Sequence, residues 1–234
     1  MNREVIRRRH LPHWDVPDAA YFVTTCLRDS IPAQGLLEIA RHRIALQNAV
    51  RPEDITNEDW QRRCWKLNFM RVEHWLDHFA ASRVLEQPEF AQIVVNSMRH
   101  FAEERYDLYA FVVMPSHFHW LFKPRTDWTI TLNDDGRSPR ERITYSLNRF
   151  TSNQCNKLSG TKGTFWQNES YDHWVRDADE LERIIRYIEE NPVKAGLTKL
   201  PEDWPFSSAH LRKILGLDWG AILPRMPPRC DSVR

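Results

Sequence analysis

The amino-acid sequence predicts an α+β protein in which short strands alternate with amphipathic helices. Runs of β-branched and aromatic residues predict the strands, an apolar period of three to four residues predicts helices, and Ser or Asp caps mark where two helices begin. In chain order the elements are strand, helix, strand, strand, helix, strand and helix. Because 41% of the 234 residues are hydrophobic, the chain can bury one sizeable core. We therefore expect a single domain over residues 1–234.

The first predicted strand, at residues 20–27, is followed by a long helical segment. Residues from about 31 to 105 carry helical signals, and the clearest helix has small or apolar side chains at i, i+3, i+4, i+7, i+8 and i+11. These side chains are Phe90, Ile93, Val94, Ser97, Met98 and Phe101. We interpret the segment 31–105 as a helical insertion after the first strand.

Two further strands are predicted at 106–113 and 116–123, with a tight turn at Met114 and Pro115 between them. Residues 165–176 contain further strand material. In an extended strand successive side chains point to opposite faces. Three aromatic residues of the 116–123 strand therefore line one face of the predicted sheet, and two histidines lie on the other.

Two helices carry explicit start signals. Ser138 followed by Glu141, and Asp177 followed by Glu180, both have the spacing of a capping box. Pro192 is expected to end the second helix, because a proline interrupts helical hydrogen bonding. These signals place one helix before the last strand and one after it.

Positive charge is concentrated locally although the formal net charge is only +1. We interpret residues 1–16 as a basic N-terminal arm, for which a solvated terminus and a nucleic-acid contact are about equally common. A second basic surface is expected on the helix that begins at Ser138. The candidate phosphate-binding residues are Arg7, Arg8, Arg9, Arg140, Arg149, Lys157 and Arg176.

The cysteine spacing and the hydropathy of the chain indicate the cellular compartment in which the protein is expected. The four cysteines form no Cys-x-x-Cys pair, which favours neither a zinc ribbon nor a disulfide framework. No apolar run approaches the roughly 18 residues of a membrane-spanning helix. We therefore expect a reduced, cytoplasmic protein that is neither secreted nor bound to a membrane.

His117 and His119 are candidate metal ligands. At positions i and i+2 of a strand they project from the same face, and neutral imidazole is a common ligand for divalent ions. Two strand histidines with ordinary hydrogen-bond partners are an equally good interpretation of this pair by itself. The pair becomes specific only in combination with other motifs.

Tyr187 and Asn191 lie four residues apart on one row of the last predicted helix, beside its buried stripe. A tyrosine in that position can have its ring supported by the core and its hydroxyl free. Asn191 then places an amide oxygen one turn further along. The alternative interpretation is a helix end with an Asn cap before a proline.

Several ordered motifs of the chain resemble those of one family of DNA-processing enzymes. Met114-Pro-Ser-His-Phe-His119 resembles the His-hydrophobic-His motif of single-strand DNA nucleases, and Tyr187-Ile-Glu-Glu-Asn191-Pro-Val-Lys-Ala-Gly-Leu197 resembles the tyrosine-bearing helix end of REP-associated tyrosine transposases. Shorter matches stand in the same order between residues 11 and 208. Several ordered motifs are more specific than any one of them.

This resemblance implies a fold and a chemistry. The fold would be the HUH endonuclease fold, a ferredoxin-like antiparallel sheet with helices packed on one face. Tyr187 would be the nucleophile, and His117, His119 and Asn191 would hold Mg²⁺ or Mn²⁺. Imidazole ligands favour Mn²⁺, since Mg²⁺ prefers oxygen. The activity would be cleavage and strand transfer of single-stranded DNA at hairpins of repetitive extragenic palindromes, through a covalent phosphotyrosine.

The resemblance also implies the setting in which the protein works. The partner would be single-stranded DNA with a hairpin, without a membrane or a small-molecule cofactor, and the protein would be a monomer or homodimer at the bacterial nucleoid. One departure is that Ser116 stands where the family more often has Asn. Another is that the first half of the 31–105 segment is hard to align with the family.

Two other classes of function compete with this interpretation. One is a zinc hydrolase in which His117, His119 and a carboxylate hold the metal, although the sequence contains no His-Glu-x-x-His motif. The other is a non-catalytic DNA-binding protein derived from a transposase. Retention of Tyr187 and both histidines favours the enzyme over the second alternative.

Overall fold

The computed structural model describes residues 5–8, 12–133, 136–168 and 170–225, and of residues 5–8 and 12–14 it describes the backbone only. The strands are β1 (Val5–Arg8), β2 (Pro12–Asp15), β3 (Tyr21–Cys26), β4 (Tyr106–Val113), β5 (His117–Pro124) and β6 (Tyr171–Trp174). The helices are α1 (Ala33–Asn48), α2 (Asn57–His78), α3 (Pro88–His100), α4 (Thr126–Thr129), α5 (Pro139–Ser159), α6 (Ala178–Lys194) and α7 (Ser208–Leu215).

The main sheet has four antiparallel strands in the order β4-β5-β3-β6. Helix α3 is the last of three helices between β3 and β4, and α5 is the second of two helices between β5 and β6. Strand, helix, two strands, helix and strand in this spatial order make a ferredoxin-like unit. The α+β class and the antiparallel sheet expected from the sequence are therefore confirmed. In the register of this sheet, His119 lies opposite Thr24 and His117 lies opposite Cys26.

Helices cover both faces of the sheet. One face, with Phe118 and Trp120, packs against α3 and α5. The other face, with Phe22 and Leu121, packs against α6 and, through Phe69, against α2. Helices on a single face were expected, and that expectation holds only for the two connecting helices α3 and α5. The second layer packs on the other face because Phe22 and Leu121 give that face an apolar part as well, and with both layers in place almost every residue of β3 and β5 is buried.

The N-terminal arm contains secondary structure that the sequence analysis did not predict. Strands β1 and β2 form an antiparallel hairpin in which Val5 lies opposite Asp15. The predicted DNA-binding residues Arg7 and Arg8 lie in β1, where only the backbone is described, and Arg9 lies outside the described residues.

The helix signals in the sequence are confirmed in part. Ser138 and Glu141 form the full capping box of α5. The Asp177 side chain caps α6 by accepting the N–H of Glu180, but the Glu180 carboxylate accepts the N–H of Arg176, so the second box is incomplete. Pro192 was expected to end α6, yet the helix continues to Lys194. Near a helix end a proline removes a single intrahelical hydrogen bond, which the last turn tolerates.

The segment predicted as a helical insertion contains α1, α2 and α3. The first two helices pack against each other, and Gly35 of α1 lies so close to Trp75 of α2 that a Cβ atom there would be 2.7 Å from the indole. Helix α3 belongs to the ferredoxin-like unit, so of the three helices in this segment α1 and α2 are additional to that unit. The described part of the chain contains no helix that is both long and apolar enough to cross a bilayer.

Candidate active site

His117 and His119 project together from the face of β5 that α2 and α6 cover. Their side chains are 1% and 0% exposed, and their Nε2 atoms are 3.1 Å apart. Strand geometry produces this arrangement, since residues i and i+2 point to the same face. Two imidazole nitrogens at this distance either share one proton or bind one cation between them.

A hydroxyl group lies within hydrogen-bond distance of the Nδ1 atom of each imidazole. The Thr24 Oγ1 atom is 2.7 Å from His119 Nδ1, and Ser116 Oγ is 3.0 Å from His117 Nδ1. The Ser116 hydroxyl donates its proton to the Leu76 carbonyl, so it acts as an acceptor toward the His117 N–H. His117 Nε2 is then left with its lone pair directed into the site. Ser116, the departure from the family pattern, thus orients the histidine that follows it.

A third metal-ligand candidate, Glu73, comes from helix α2. Its Oε2 atom lies 3.3 Å from His119 Nε2, and the ligand atoms of Glu73, His117 and His119 all lie within 4.8 Å of one another. Glu73 Oε1 is buried and has no hydrogen-bond partner among the described residues. Two imidazoles, a carboxylate and a buried, unpartnered oxygen fit a divalent metal ion. These three residues could therefore hold one.

The electrostatics of this cluster favour the ligating form of two side chains. Burial lowers the pKa of His117, and the neighbouring His119 lowers it further, to about 3, against the opposing effect of Glu73. His117 is therefore a neutral imidazole at physiological pH. Burial would raise the pKa of Glu73, but His119 above all, with His117 and Tyr187, outweighs burial and lowers that pKa to about 2. Glu73 is therefore an ionised carboxylate.

Sequence reasoning missed Glu73 because no motif connects it to the histidines or to Tyr187, which lies 114 positions away. One signal was present: Glu73 stands within a helical stripe of buried apolar residues that includes Phe69, Val72 and Leu76. A carboxylate on the buried face of a helix needs a partner in the core.

Tyr187 reaches the same cluster from helix α6. Its hydroxyl donates a hydrogen bond to Glu73 Oε2, and its ring lies 5.8 Å from that of Phe22 and 5.7 Å from that of His119. Burial raises the pKa of the phenol well above its ordinary value, and the Glu73 carboxylate raises it further. The sequence-predicted nucleophile and the two histidines therefore meet at one site, with the phenol protonated.

Asn191 lies one turn beyond Tyr187 on α6 and is 2% exposed. Its Nδ2 atom is 3.5 Å from His119 Nε2, and its Oδ1 atom is buried without a hydrogen-bond partner among the described residues. Rotation of the amide by half a turn would bring the oxygen to face the histidine instead. The predicted ligand is therefore brought beside the histidine pair, and its role as a ligand stays a prediction.

Two curated proteins match this chain in sequence. A REP-associated tyrosine transposase of Escherichia coli strain K12 is 32% identical over 117 residues, which are 49% of this chain and 62% of that protein. A Haemophilus influenzae protein named as a REP-associated tyrosine transposase is 28% identical over 143 residues, which are 56% of this chain and 75% of that protein. This chain is similar in sequence to the REP-associated tyrosine transposases. The family resemblance seen in the motifs is thereby confirmed.

Two further comparisons accompany these matches to REP-associated tyrosine transposases. A solved structure of a REP-associated tyrosine transposase bound to a REP hairpin has a TM-score of 0.48 and 18% identity to this chain, and the match covers 98% of this chain and 96% of that one. No protein-family model matches the chain.

Arg140, one of the candidate phosphate-binding residues, is buried. Its side chain is 3% exposed, and the guanidinium contacts Asp15 of β2 at 3.0 Å and Asp172 of β6 at 3.5 Å. Burial by itself would lower the pKa of Arg140, but these carboxylates raise it. The prediction that Arg140 binds DNA is therefore wrong, because the residue ties α5 to two strands.

The other predicted DNA-binding residues have varied surroundings. Arg149 and Lys157 are exposed on α5, which packs on the sheet face opposite the histidines. Arg176 is partly exposed, with its Nε atom 3.2 Å from Glu180 and its Nη1 atom 3.9 Å from Asp59. A phosphate contact by any of these residues stays a prediction. DNA held by Arg149 and Lys157 would lie on the side of the sheet opposite Tyr187.

Replacing Arg140 should destabilise the protein. Arg140→Ala leaves two carboxylates without their buried cation, so the free energy of unfolding should fall by about 3 kcal/mol. Urea denaturation measures the change. Arg149→Ala, an exposed control on the same helix, should stay within about 0.5 kcal/mol of the unchanged protein. Equal stability of the two variants would contradict the structural role of Arg140.

Proposed function

We propose that this protein is a metal-dependent single-stranded DNA endonuclease and strand transferase. It acts on hairpins formed by repetitive extragenic palindromes, and Tyr187 forms the covalent phosphotyrosine intermediate. The observation that carries the proposal is the convergence of Tyr187 with Glu73, His117 and His119, which come from three separate elements. The names of the curated relatives support the class of substrate.

The proposed reaction is a transesterification at phosphorus. The Tyr187 oxygen attacks the scissile phosphate, the phosphorus–oxygen bond to the 3′ oxygen breaks, and the phenol loses its proton while the leaving 3′ oxygen gains one. The 3′ hydroxyl of another strand reverses the step and joins the strands. Phe22 and Phe69 support the Tyr187 ring and so hold its oxygen in position for attack.

His117, His119 and Glu73 would hold the divalent ion, and Asn191 adds a fourth candidate ligand. The ion supplies charge stabilisation for the phosphate and a counter-charge for the phenolate. We propose Mg²⁺ or Mn²⁺, and the two imidazoles favour Mn²⁺. Ser116 and Thr24 keep both rings turned so that Nε2 faces the site.

A zinc hydrolase is a second candidate that one observation favours. Glu73 supplies the carboxylate that the sequence analysis lacked, and two histidines with one glutamate are a known ligand set for catalytic zinc. In a zinc hydrolase, however, Tyr187 has no covalent role. A covalent protein–DNA product therefore separates the two candidates.

Incubation of the protein with end-labelled single-stranded hairpin DNA and Mn²⁺ tests the proposal. We expect a labelled band that survives denaturing electrophoresis and is absent when EDTA replaces the metal. Hairpin binding without any such band, in either Mn²⁺ or Mg²⁺, would instead support the non-catalytic DNA-binding alternative.

We further propose that the protein works as a monomer or homodimer at the nucleoid, in the bacterial cytoplasm.

Neutralising Arg149 and Lys157 should reduce the salt dependence of DNA binding. If both side chains contact phosphates, the slope of log K against log salt concentration should flatten by roughly 0.7 for each lost contact to a single strand. Asn153→Ala, an exposed and uncharged position on the same helix, is the control and should leave the slope unchanged. An unchanged slope in the charge variants would show that these residues are solvated surface.

A further inference from the structure

One oxygen atom of Glu73 faces both the nucleophile and the metal-ligand candidates. Its Oε2 atom accepts the hydrogen bond from the Tyr187 hydroxyl and is also 3.3 Å from His119 Nε2. Its Oε1 atom is buried with no hydrogen-bond partner among the described residues. The Glu73 carboxylate therefore contacts both Tyr187, the proposed nucleophile, and His119, a candidate metal ligand.

The position of this carboxylate is fixed by helix α2. Phe69, on the turn before Glu73, packs into the apolar cluster of the histidine face, while Val72 and Leu76 pack with Cys26 of β3. Helix α2 is additional to the ferredoxin-like unit. A helix outside that unit therefore contributes one residue, Glu73, to the site. Glu73 itself is 8% exposed, so water does not compete freely for its oxygens.

We propose that Glu73 is a positioning residue for which the metal ion and Tyr187 compete. A cation bound at His117 and His119 draws negative charge from Glu73 Oε2, which weakens this oxygen as an acceptor for the Tyr187 hydroxyl. Metal binding thereby releases the hydroxyl toward DNA, and the site without metal keeps it held. This inference rests on the proposed function, because it assumes that Tyr187 is the nucleophile.

The competition has a reciprocal consequence that can be measured without DNA. If the ion weakens the hydrogen bond, then the hydrogen bond weakens ion binding by the same factor. Tyr187→Phe removes the hydrogen bond and keeps the ring. It should tighten the binding of Mn²⁺, measured by titration calorimetry on the full chain, by about tenfold, the effect of one hydrogen bond to a charged group.

Tyr109→Phe is the matched control, because Tyr109 is also partly buried against the same apolar cluster but stands on β4. It should leave Mn²⁺ affinity unchanged. Unchanged or weaker Mn²⁺ binding by Tyr187→Phe would overturn the proposal, since the hydroxyl and the ion would then not compete.

Glu73→Gln provides the second arm of the test. This variant keeps an acceptor for Tyr187 but loses the charged ligand, so Mn²⁺ binding should weaken at least about tenfold. In the Glu73→Gln background the additional change Tyr187→Phe should no longer tighten Mn²⁺ binding. Wild-type affinity in Glu73→Gln, or persistent tightening in the double variant, would contradict the shared role of Glu73.

The two arms separate this inference from the proposed function. Circular dichroism establishes that each variant is folded, and if Glu73→Gln unfolds, the comparison of Tyr187→Phe with Tyr109→Phe decides alone. Failure of the competition leaves the covalent DNA band of the wild-type protein unaffected. Absence of that band with intact competition would instead overturn the proposed reaction while keeping the role of Glu73 toward the metal.

Discussion

Tyr187→Phe should abolish the covalent protein–DNA product while leaving a folded protein that still binds hairpin DNA. The substitution keeps the ring contacts with Phe22 and Phe69 and deletes only the hydroxyl group, which we propose as the nucleophile. Loss of a nucleophile that acts together with its neighbours typically lowers the rate by roughly 10⁴-fold or more. Denaturing electrophoresis with labelled hairpin DNA measures the product, and a native mobility shift measures binding.

Tyr171→Phe is the matched control for this experiment. Tyr171 lies in the same aromatic cluster, with its ring 6.1 Å from that of Phe69, but it stands on strand β6 rather than on helix α6. We expect this variant to form the covalent product at nearly the unchanged rate. A product that persists in Tyr187→Phe and disappears in Tyr171→Phe would transfer the nucleophile to β6.

Replacing both histidines should also abolish cleavage, through a different loss. His117→Ala with His119→Ala removes two candidate metal ligands, and with them charge stabilisation of the phosphate worth about 4 kcal/mol, or roughly 10³-fold in rate. Binding of hairpin DNA should largely persist, because its affinity arises mainly from phosphate contacts elsewhere. Single-turnover cleavage assays in Mn²⁺ measure the effect.

An exposed histidine provides the comparison for the double variant. His74 lies on the outer side of α2, one residue after Glu73, so His74→Ala removes an imidazole without touching the buried cluster. This control should cleave normally. Undiminished cleavage by the double histidine variant would show that the proposed metal site is not needed for the reaction.

The pairing of the histidines could be predicted because it depends on local geometry. Strand alternation places His117 and His119 on one face whatever the rest of the fold does. The row that joins Tyr187 to Asn191 follows in the same way from the helical period. Both features lie within single elements, and the structure places both at one site.

Glu73 and Arg140 could not be assigned from the sequence, because their environments depend on contacts between distant elements. Glu73 meets Tyr187 only after α2 folds over the histidine face. Arg140 was expected to belong to a basic helical surface, but Asp15 and Asp172 approach it from two strands and bury it. Charge in a sequence predicts a solvated or DNA-binding side chain only when no such partner folds against it.

The second helical layer was unpredictable for a related reason. The apolar stripe of a helix predicts that the helix packs on something, but it does not specify which face of the sheet. Helices α2 and α6 pack on the histidine face, and this places Tyr187 and Glu73 beside the imidazoles. The same layer buries His117, His119 and Asn191.

The central claim is that Tyr187 becomes joined to DNA, and mass spectrometry of the trapped product tests it most directly. Protein that has reacted with a single-stranded hairpin in Mn²⁺ is digested with nuclease and protease, and the modified peptide is sequenced. We expect the remaining nucleotide on Tyr187, within the peptide of helix α6 that also contains Asn191. A nucleotide on Tyr171 or Tyr145 instead would contradict the assignment of Tyr187 as nucleophile and the role of Asn191 beside it.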